Sequence, residues 1–404
     1  MNFAASRLAP IKPSASAWVS QAAKEAKARG EDIIDLGLGE PDFDTPVHIK
    51  EAAHHAAMRG ETKYTPTNGT LAMRQAVVNK LKRENELDYA LDEVIVANGA
   101  KQVLFTAFMA TLEVGDEVLL CAPYFGQYRD IISILGGVPV PLKCAAEDGF
   151  RLQPEQLSNA ITAKTRWLLL NQPSNPSGAV YSDDEIIALG AVLQDHEKVL
   201  ILSDEIYEHI LFDDHVFRSF AALNSDLKDR TLTVNGVSKA YAMTGWRIGY
   251  GAGAKELIAA MTNVQSQISS GACSVAQAAA TAALNGPQDE VKRFCAAFKK
   301  RRDLVVSKVQ QIPGLTLDAP GGAFYGFISC AGLIGAKTPN GETLGNDADV
   351  TAYLLSAAGV AAVPGSAYEL SPFFRISTAA SEDILGIAMD RIAAAVAELE
   401  GVTP

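Results

Sequence analysis

Between residues 90 and 255 the chain repeats one pattern: a short, nearly continuous apolar run, then an amphipathic stretch with helical spacing. The runs are Val94–Ala97, Glu117–Cys121, Trp167–Asn171, Val199–Ser203, Leu232–Val234 and Arg247–Gly251. Segments such as Gln102–Leu112 and Asp183–His196 separate them. A strand that is apolar on both faces needs cover on both faces, and crossover helices supply it. The rhythm predicts βαβ units, and therefore an α/β fold with a mostly parallel central sheet flanked by helices.

Further on the texture changes. Val291–Gln311 reads as a long charged helix stopped near Ile312-Pro313-Gly314. Strand-like pieces follow at Leu315–Leu317, Ala323–Ser329, Val360–Val363 and Phe373–Ser377, with helices at about Asp347–Ala358 and Glu382–Leu399. This predicts a large domain over 47–285. A smaller α+β domain would combine the N-terminal arm, 1–46, with 286–404. The chain has 404 residues, too long for one small core and suited to two lobes. The polar, glycine-rich stretch Gly332–Asn346 reads as a surface excursion.

Charge and targeting signals narrow the function classes. Lys plus Arg number 35 against 47 Asp plus Glu, a formal charge of −12. That balance argues against nucleic acid and against anionic membranes as partners, yet leaves room for a local cationic pocket. No apolar run approaches membrane-spanning length, and MNFAASRLAPIKPSASAW lacks the apolar core of a signal peptide, so a cytoplasmic protein is expected. The cysteines (Cys121, Cys144, Cys273, Cys295, Cys330) form no CxxC pair, and the histidines show no ligand spacing, so no metal site is expected.

Four stretches carry chemistry. Asn235-Gly236-Val237-Ser238-Lys239 follows the strand-like Thr231–Val234 and leads to Arg247. A lysine there can condense with an aldehyde if its amine is held neutral. Ser238 and Arg247 offer a hydroxyl and a fork of donors suited to a phosphate. The plain alternative is a surface lysine and a salt-bridging arginine. Second, Val199–Ser203 runs into Asp204, Glu205, Ile206 and Tyr207, which places Asp204 at the carboxyl end of a strand, where open α/β sheets bind ligands. A carboxylate there can keep a pyridine nitrogen protonated, and Tyr207 can reach the same ring. The alternative for Asp204 is a helix cap. Third, Asn171-Gln172-Pro173-Ser174-Asn175-Pro176-Ser177-Gly178 is a rigid turn whose Asn175 can donate to a phenolate oxygen, or merely bond its own backbone. Fourth, Gly99, Ala100 and Lys101 stand where a strand passes into a helix, an arrangement whose amides bind anions.

These stretches also carry a resemblance. GEPDFDTP (39–46), YTPTNGT (64–70), GAKQ (99–102), NQPSNPSGAVY (171–181), SDEIYEH (203–209), SKAYAMTGWRIGY (238–250), GGAFY (321–325), VPGSAYE (363–369) and FRIST (374–378) occur in this order. In this the chain resembles the class I/II aminotransferases, fold type I enzymes that use pyridoxal 5′-phosphate, and above all the bacterial subgroup of aspartate and prephenate aminotransferases. The resemblance implies Lys239 as Schiff-base lysine and proton shuttle. Asp204 would lie at the pyridine nitrogen and Tyr207 and Asn175 at the ring oxygen. Gly99, Ala100, Lys101, Ser238 and Arg247 would lie around the phosphate. It implies a homodimer in which Tyr64 reaches the neighbouring subunit's phosphate. Arg375 would hold the substrate α-carboxylate, helped by Asn175 and the Gly39 amide. Lys101 and Lys12 stand where a second carboxylate would be met.

The segment Pro123–Tyr128 departs from the pattern. Phe125 stands where the aspartate enzymes usually carry Trp, keeping an aromatic face without an N–H donor. Gly126-Gln127 is also unusual, and Ala100 stands where Gly is common. The expected reaction is ping-pong transfer of an amino group between aspartate or glutamate and a 2-oxo acid such as 2-oxoglutarate, with a prephenate, aromatic or other donor as the alternative. A lyase of the same fold and a non-catalytic PLP-binding protein are further readings. A nicotinamide dehydrogenase is disfavoured, because Gly249–Gly253 lacks the GxGxxG spacing.

Overall fold

The computed structural model describes residues 3–9, 11 and 15–403. A seven-stranded sheet has the order Val94–Ala97, Gly249–Ala252, Thr231–Gly236, Leu200–Asp204, Thr165–Asn171, Glu117–Ala122, Val138–Lys143. All neighbours are parallel except around Gly249–Ala252, which runs antiparallel to both of its partners.

The continuity of the apolar runs has a simple cause. Along Glu117–Ala122, Val118 and Leu120 point to one face, into a core with Val103, Phe108 and Met261, while Leu119 joins Leu168, Leu189 and Ile201 on the other. Both faces are covered by helices, so both sets of alternate residues must be apolar. Helix Asp183–Gln194 begins at a capping box: the Glu185 amide donates to Ser182 Oγ, and Glu185 Oε2 accepts from the Ser182 amide (2.8 Å).

A second core gathers Leu36, Val305, Leu354, Phe374, Ile376 and Ile392. It backs a three-stranded antiparallel sheet of Val363–Pro364, Phe373–Ser377 and Tyr325–Ser329. Ile34–Asp35 pairs in parallel with Val360–Ala361, bringing the N-terminal region onto this part of the molecule. No helix among the described residues is long and apolar enough to cross a membrane.

The structure corrects two expectations. Leu315–Leu317 is not a strand but a single bridge, Thr316 to Ser329, its pairing curtailed between Gly314 and Pro320. Gly332–Asn346 is not only a surface excursion: Leu333, Ala336 and Leu344 are buried in the second core, while Lys337 bridges Thr343 and Glu400.

Candidate active site

The site forms where the central strands end. Asn171 and Asp204 are register partners at the carboxyl ends of adjacent parallel strands, and Thr231–Gly236 lies alongside. The Asp204 carboxyl is buried: Oδ2 accepts from Tyr128 Oη at 2.7 Å, and Oδ1 from the Ile206 amide at 3.3 Å. One oxygen therefore caps the following turn, which is not the helix that the plain alternative called for, and the other takes the Tyr128 hydroxyl. Burial pushes this carboxyl up to about 6, against the pull of the Tyr128 hydroxyl.

An anion cradle lies beside it. Gly99 has φ +91°, and a Cβ there would sit 2.5 Å from Arg247 Nη2, so only glycine lets the guanidinium approach. Helix Ala100–Thr111 starts at the next residue. The amides of Ala100 and Lys101 belong to its first turn, where no preceding carbonyl exists to receive them. Gly249 closes the back, since a Cβ there would meet the Ala100 nitrogen at 2.1 Å. Arg247 takes left-handed backbone (φ 56°) and donates from Nη1 to Thr244 O at 2.8 Å. Ser238 and Lys101 line the same cavity. Lys101 is exposed as a residue, but partial desolvation and then the Arg247 cation lower its ammonium, and among the described residues no carboxylate acts against them.

Lys239 and Arg375 complete the cavity, which holds about 380 Å³. Lys239 Nζ donates to Gly39 O at 2.7 Å. Burial first, then the cations Arg375 and Arg247, lower its amine to about 8, against the pull of Glu40 and Asp204. Arg375 is 2% exposed and rests over the rings of Tyr325 (4.6 Å) and Tyr368 (5.1 Å). Its Nη1 donates to Asn175 Oδ1 at 3.0 Å and its Nη2 to Gly37 O. The segment 39–46 holds this arrangement from outside. Arg301 grips Asp42 through both nitrogens (2.8 and 3.0 Å), Phe43 stacks on Phe294 at 4.3 Å, and Thr45 Oγ1 donates to Ala242 O. It thereby ties helix Asp289–Val309 to the loop of Lys239.

Gly39, Ala100, Lys101, Phe125, Asn175, Asp204, Tyr207, Ser238, Lys239, Arg247 and Arg375 all line one cavity. Gly99 stands against it through Arg247. Tyr64 does not line it and is fully exposed. Lys12 lies outside the described residues. The Asn175 side chain engages Arg375 rather than its own turn, while the Asn175 backbone N–H donates to Asn171 Oδ1 at 2.8 Å. Two tyrosines were not singled out for the sheet end: Tyr128, bonded to Asp204, and Tyr325, whose hydroxyl is 2.7 Å from that of Tyr207. Both lie inside quoted segments, but no spacing could announce partners 76 and 118 residues away.

Pyridoxal 5′-phosphate fits these residues. A glycine-lined cradle with an arginine suits its phosphate, a buried carboxyl suits its ring nitrogen, and a buried, weakly basic lysine suits its aldehyde. The fold and cavity thus define a fold type I PLP enzyme. Comparison with known proteins agrees. The family described as "Aminotransferase class I and II" matches residues 31–392. An aspartate aminotransferase of Rhizobium meliloti (strain 1021) is 54% identical over 97% of this chain and 95% of that protein. A probable aspartate/prephenate aminotransferase of Rhizobium leguminosarum bv. phaseoli is 51% identical over 97% of this chain and 98% of its own length. The crystal structure of the R. meliloti aspartate aminotransferase superposes with TM-score 0.97 at 53% identity, covering 99% of this chain and 100% of that one. The Thermus thermophilus aspartate aminotransferase with maleate gives 0.90 at 39% identity, covering 98% and 100%. The chain belongs to the class I and II aminotransferases, as an enzyme that moves amino groups with PLP.

Proposed function

We propose that the enzyme transfers an amino group between a dicarboxylic amino acid, aspartate or glutamate, and a 2-oxo acid such as 2-oxoglutarate. The observation that carries this reading is the pair of cations in one cavity: Arg375, set in place by Asn175 and Gly37, and Lys101, on which no carboxylate acts among the described residues. Arg375 takes the α-carboxylate as a fork, and Lys101 a carboxylate at the other end of the substrate. The names of the R. meliloti and T. thermophilus relatives support aspartate. The R. leguminosarum name supports prephenate, also a dicarboxylate, as a second keto acid.

PLP, when bound, supplies an aldehyde for an amine and a ring that accepts electrons. The residues do the rest. Gly99, Ala100, Lys101, Ser238 and Arg247 would hold the phosphate, Asp204 would meet the ring nitrogen, Tyr207 and Asn175 the ring oxygen, and Phe125 the ring face. Lys239 Nζ, neutral for part of the time at physiological pH, takes the substrate α-proton and delivers it again on the same face. The cycle has two halves, one per substrate, so the kinetics are ping-pong. The active form is a homodimer in which Tyr64 reaches the phosphate end of the neighbouring subunit's site.

The test is the half-reaction read by cofactor absorbance. Aspartate or glutamate should convert the bound cofactor to its amine form, and 2-oxoglutarate should restore it. Failure with both donors refutes the dicarboxylic reading.

A further inference from the structure

One polar group of the cavity has no part in the account above. Gln127 opens helix Gln127–Ile134 and lines the cavity. Its Oε1 is buried and has no hydrogen-bond partner among the described residues, although the residue as a whole is only half-buried. A sealed acceptor without a partner is costly, and nothing in the helix requires it. The backbone explains how it is kept there. The Tyr124 amide donates to Tyr368 O (3.3 Å), and the Tyr128 amide to Phe125 O (2.9 Å). Gly126 passes so near Ala367 that a Cβ would lie 2.8 Å from its carbonyl oxygen. Gln127 is thus carried on a segment pinned against the turn Gly365–Tyr368.

With Oε1 closed off, the Nε2 donors are the end of the amide left to meet a ligand. Several uncharged polar side chains around them are engaged elsewhere: Tyr128 with Asp204, Asn175 Oδ1 with Arg375, Thr244 with Glu40 and Tyr325 with Tyr207. Lys101 Nζ lies 5.5 Å from the centroid of the Phe125 ring, which offers no donor. A carboxylate that met only the Lys101 ammonium would still have oxygen lone pairs to satisfy. A neutral amide satisfies them without adding to the repulsion between Lys101 and Arg247.

We propose that Gln127 Nε2 donates to the distal carboxylate of the substrate, beside Lys101, and so sets the preference for dicarboxylic over uncharged amino acids. This rests on the dicarboxylic reading given above. The test uses the holoenzyme and single-turnover half-reactions with aspartate and with alanine, which lacks the distal carboxylate. The readout is the ratio of kcat/KM for the two donors, in which any loss of folded protein cancels. Gln127→Leu should lower that ratio roughly 10–100-fold, the range for a hydrogen bond to a charged group. Gln127→Glu, which sets an anion against the carboxylate, should lower it further. A wild type that prefers aspartate while Gln127→Leu keeps the same ratio within twofold overturns the role of Gln127 alone, as does a ratio raised by Gln127→Glu. A wild type without preference overturns the dicarboxylic reading itself, and this assignment with it.

Discussion

Replacing Tyr128 by Phe removes a single oxygen from the molecule, and that oxygen is the 2.7 Å donor to Asp204 Oδ2. Both side chains are buried, so water does not readily take its place. Burial has already raised the Asp204 carboxyl from an ordinary 3.8 to about 6, with the Tyr128 hydroxyl the foremost influence opposing it. A hydrogen bond to a charged group contributes about 1.5–3 kcal/mol, which is roughly 1–2 pH units in the titration of its acceptor. The Asp204 midpoint should therefore move from about 6 to roughly 7–8 in the variant without cofactor. The assay is infrared difference spectroscopy of the protonated-carboxyl band, assigned by its loss in Asp204→Asn. Stability follows with a definite sign. A carboxyl raised on folding favours the folded state while protonated, so its contribution is lost as pH rises from about 4 through 6, and in the variant through a higher window. Cofactor affinity should suffer most near pH 6–7, where Asp204 of the variant would still be protonated. A midpoint that stays near 6, or falls, would refute the reasoning.

The Lys239 amine, lowered to about 8, predicts that PLP attaches to the cofactor-free protein at a rate rising with pH through about 8. Arg375→Leu removes a cation that lowers it and should shift that midpoint upward; a profile centred near 10 in the wild type would contradict the assignment. Lys80 is fully buried, and its ammonium contacts Glu208, Asn85 Oδ1 (2.7 Å) and Glu84 (3.7 Å). Burial alone would raise the Glu208 carboxyl, yet Lys80, His209 and Asn85 hold it below its ordinary range. Lys80→Met strands that carboxylate and should cost about 3–5 kcal/mol in urea unfolding; a loss under 1 kcal/mol would show the network to be dispensable.

The central strands were legible because a sheet covered on both faces imprints itself on sequence as unbroken apolar runs. The exception is instructive. Val138–Lys143 contains Pro139 and Pro141 and so reads against a strand, yet it pairs along its whole length with Glu117–Ala122. It lies at the sheet edge, where one side of the backbone needs no partner and proline is tolerated. Gly332–Asn346 failed for the opposite reason. Leu333, Ala336 and Leu344 are apolar anchors in a polar stretch, with neither a strand nor a helix period to mark them. In the site, Lys239, Asp204 and Gly99 stood out because strand ends and strand–helix junctions are where a chain of this class binds ligands. The hydroxyl that steadies Asp204, the carbonyls that hold Arg375 and Lys239, and the unpartnered oxygen of Gln127 depend on contacts across the fold. No local pattern encodes them.

The charge of the chain and the charge of its site point in opposite directions, and the difference bears on Lys239. The whole carries −12, but Lys101, Lys239, Arg247 and Arg375 line one cavity in which Glu40 and Asp204 are the only carboxylates among the described residues. Like charges hold one another's basicity down, so burial and these cations make Lys239 a weak base, ready to condense but poor at taking a proton. On the proposed assignment, a substrate α-carboxylate on Arg375 cancels the cation that lowers Lys239 most after burial itself. Substrate binding then restores basicity to Nζ at the stage when Nζ must accept the α-proton. A monocarboxylic donor would suffice for that effect; the second carboxylate, at Lys101, would relieve a further cation of the same cluster. The arrangement thus ties the strength of the base to occupancy of the site, with no need for Lys239 itself to move.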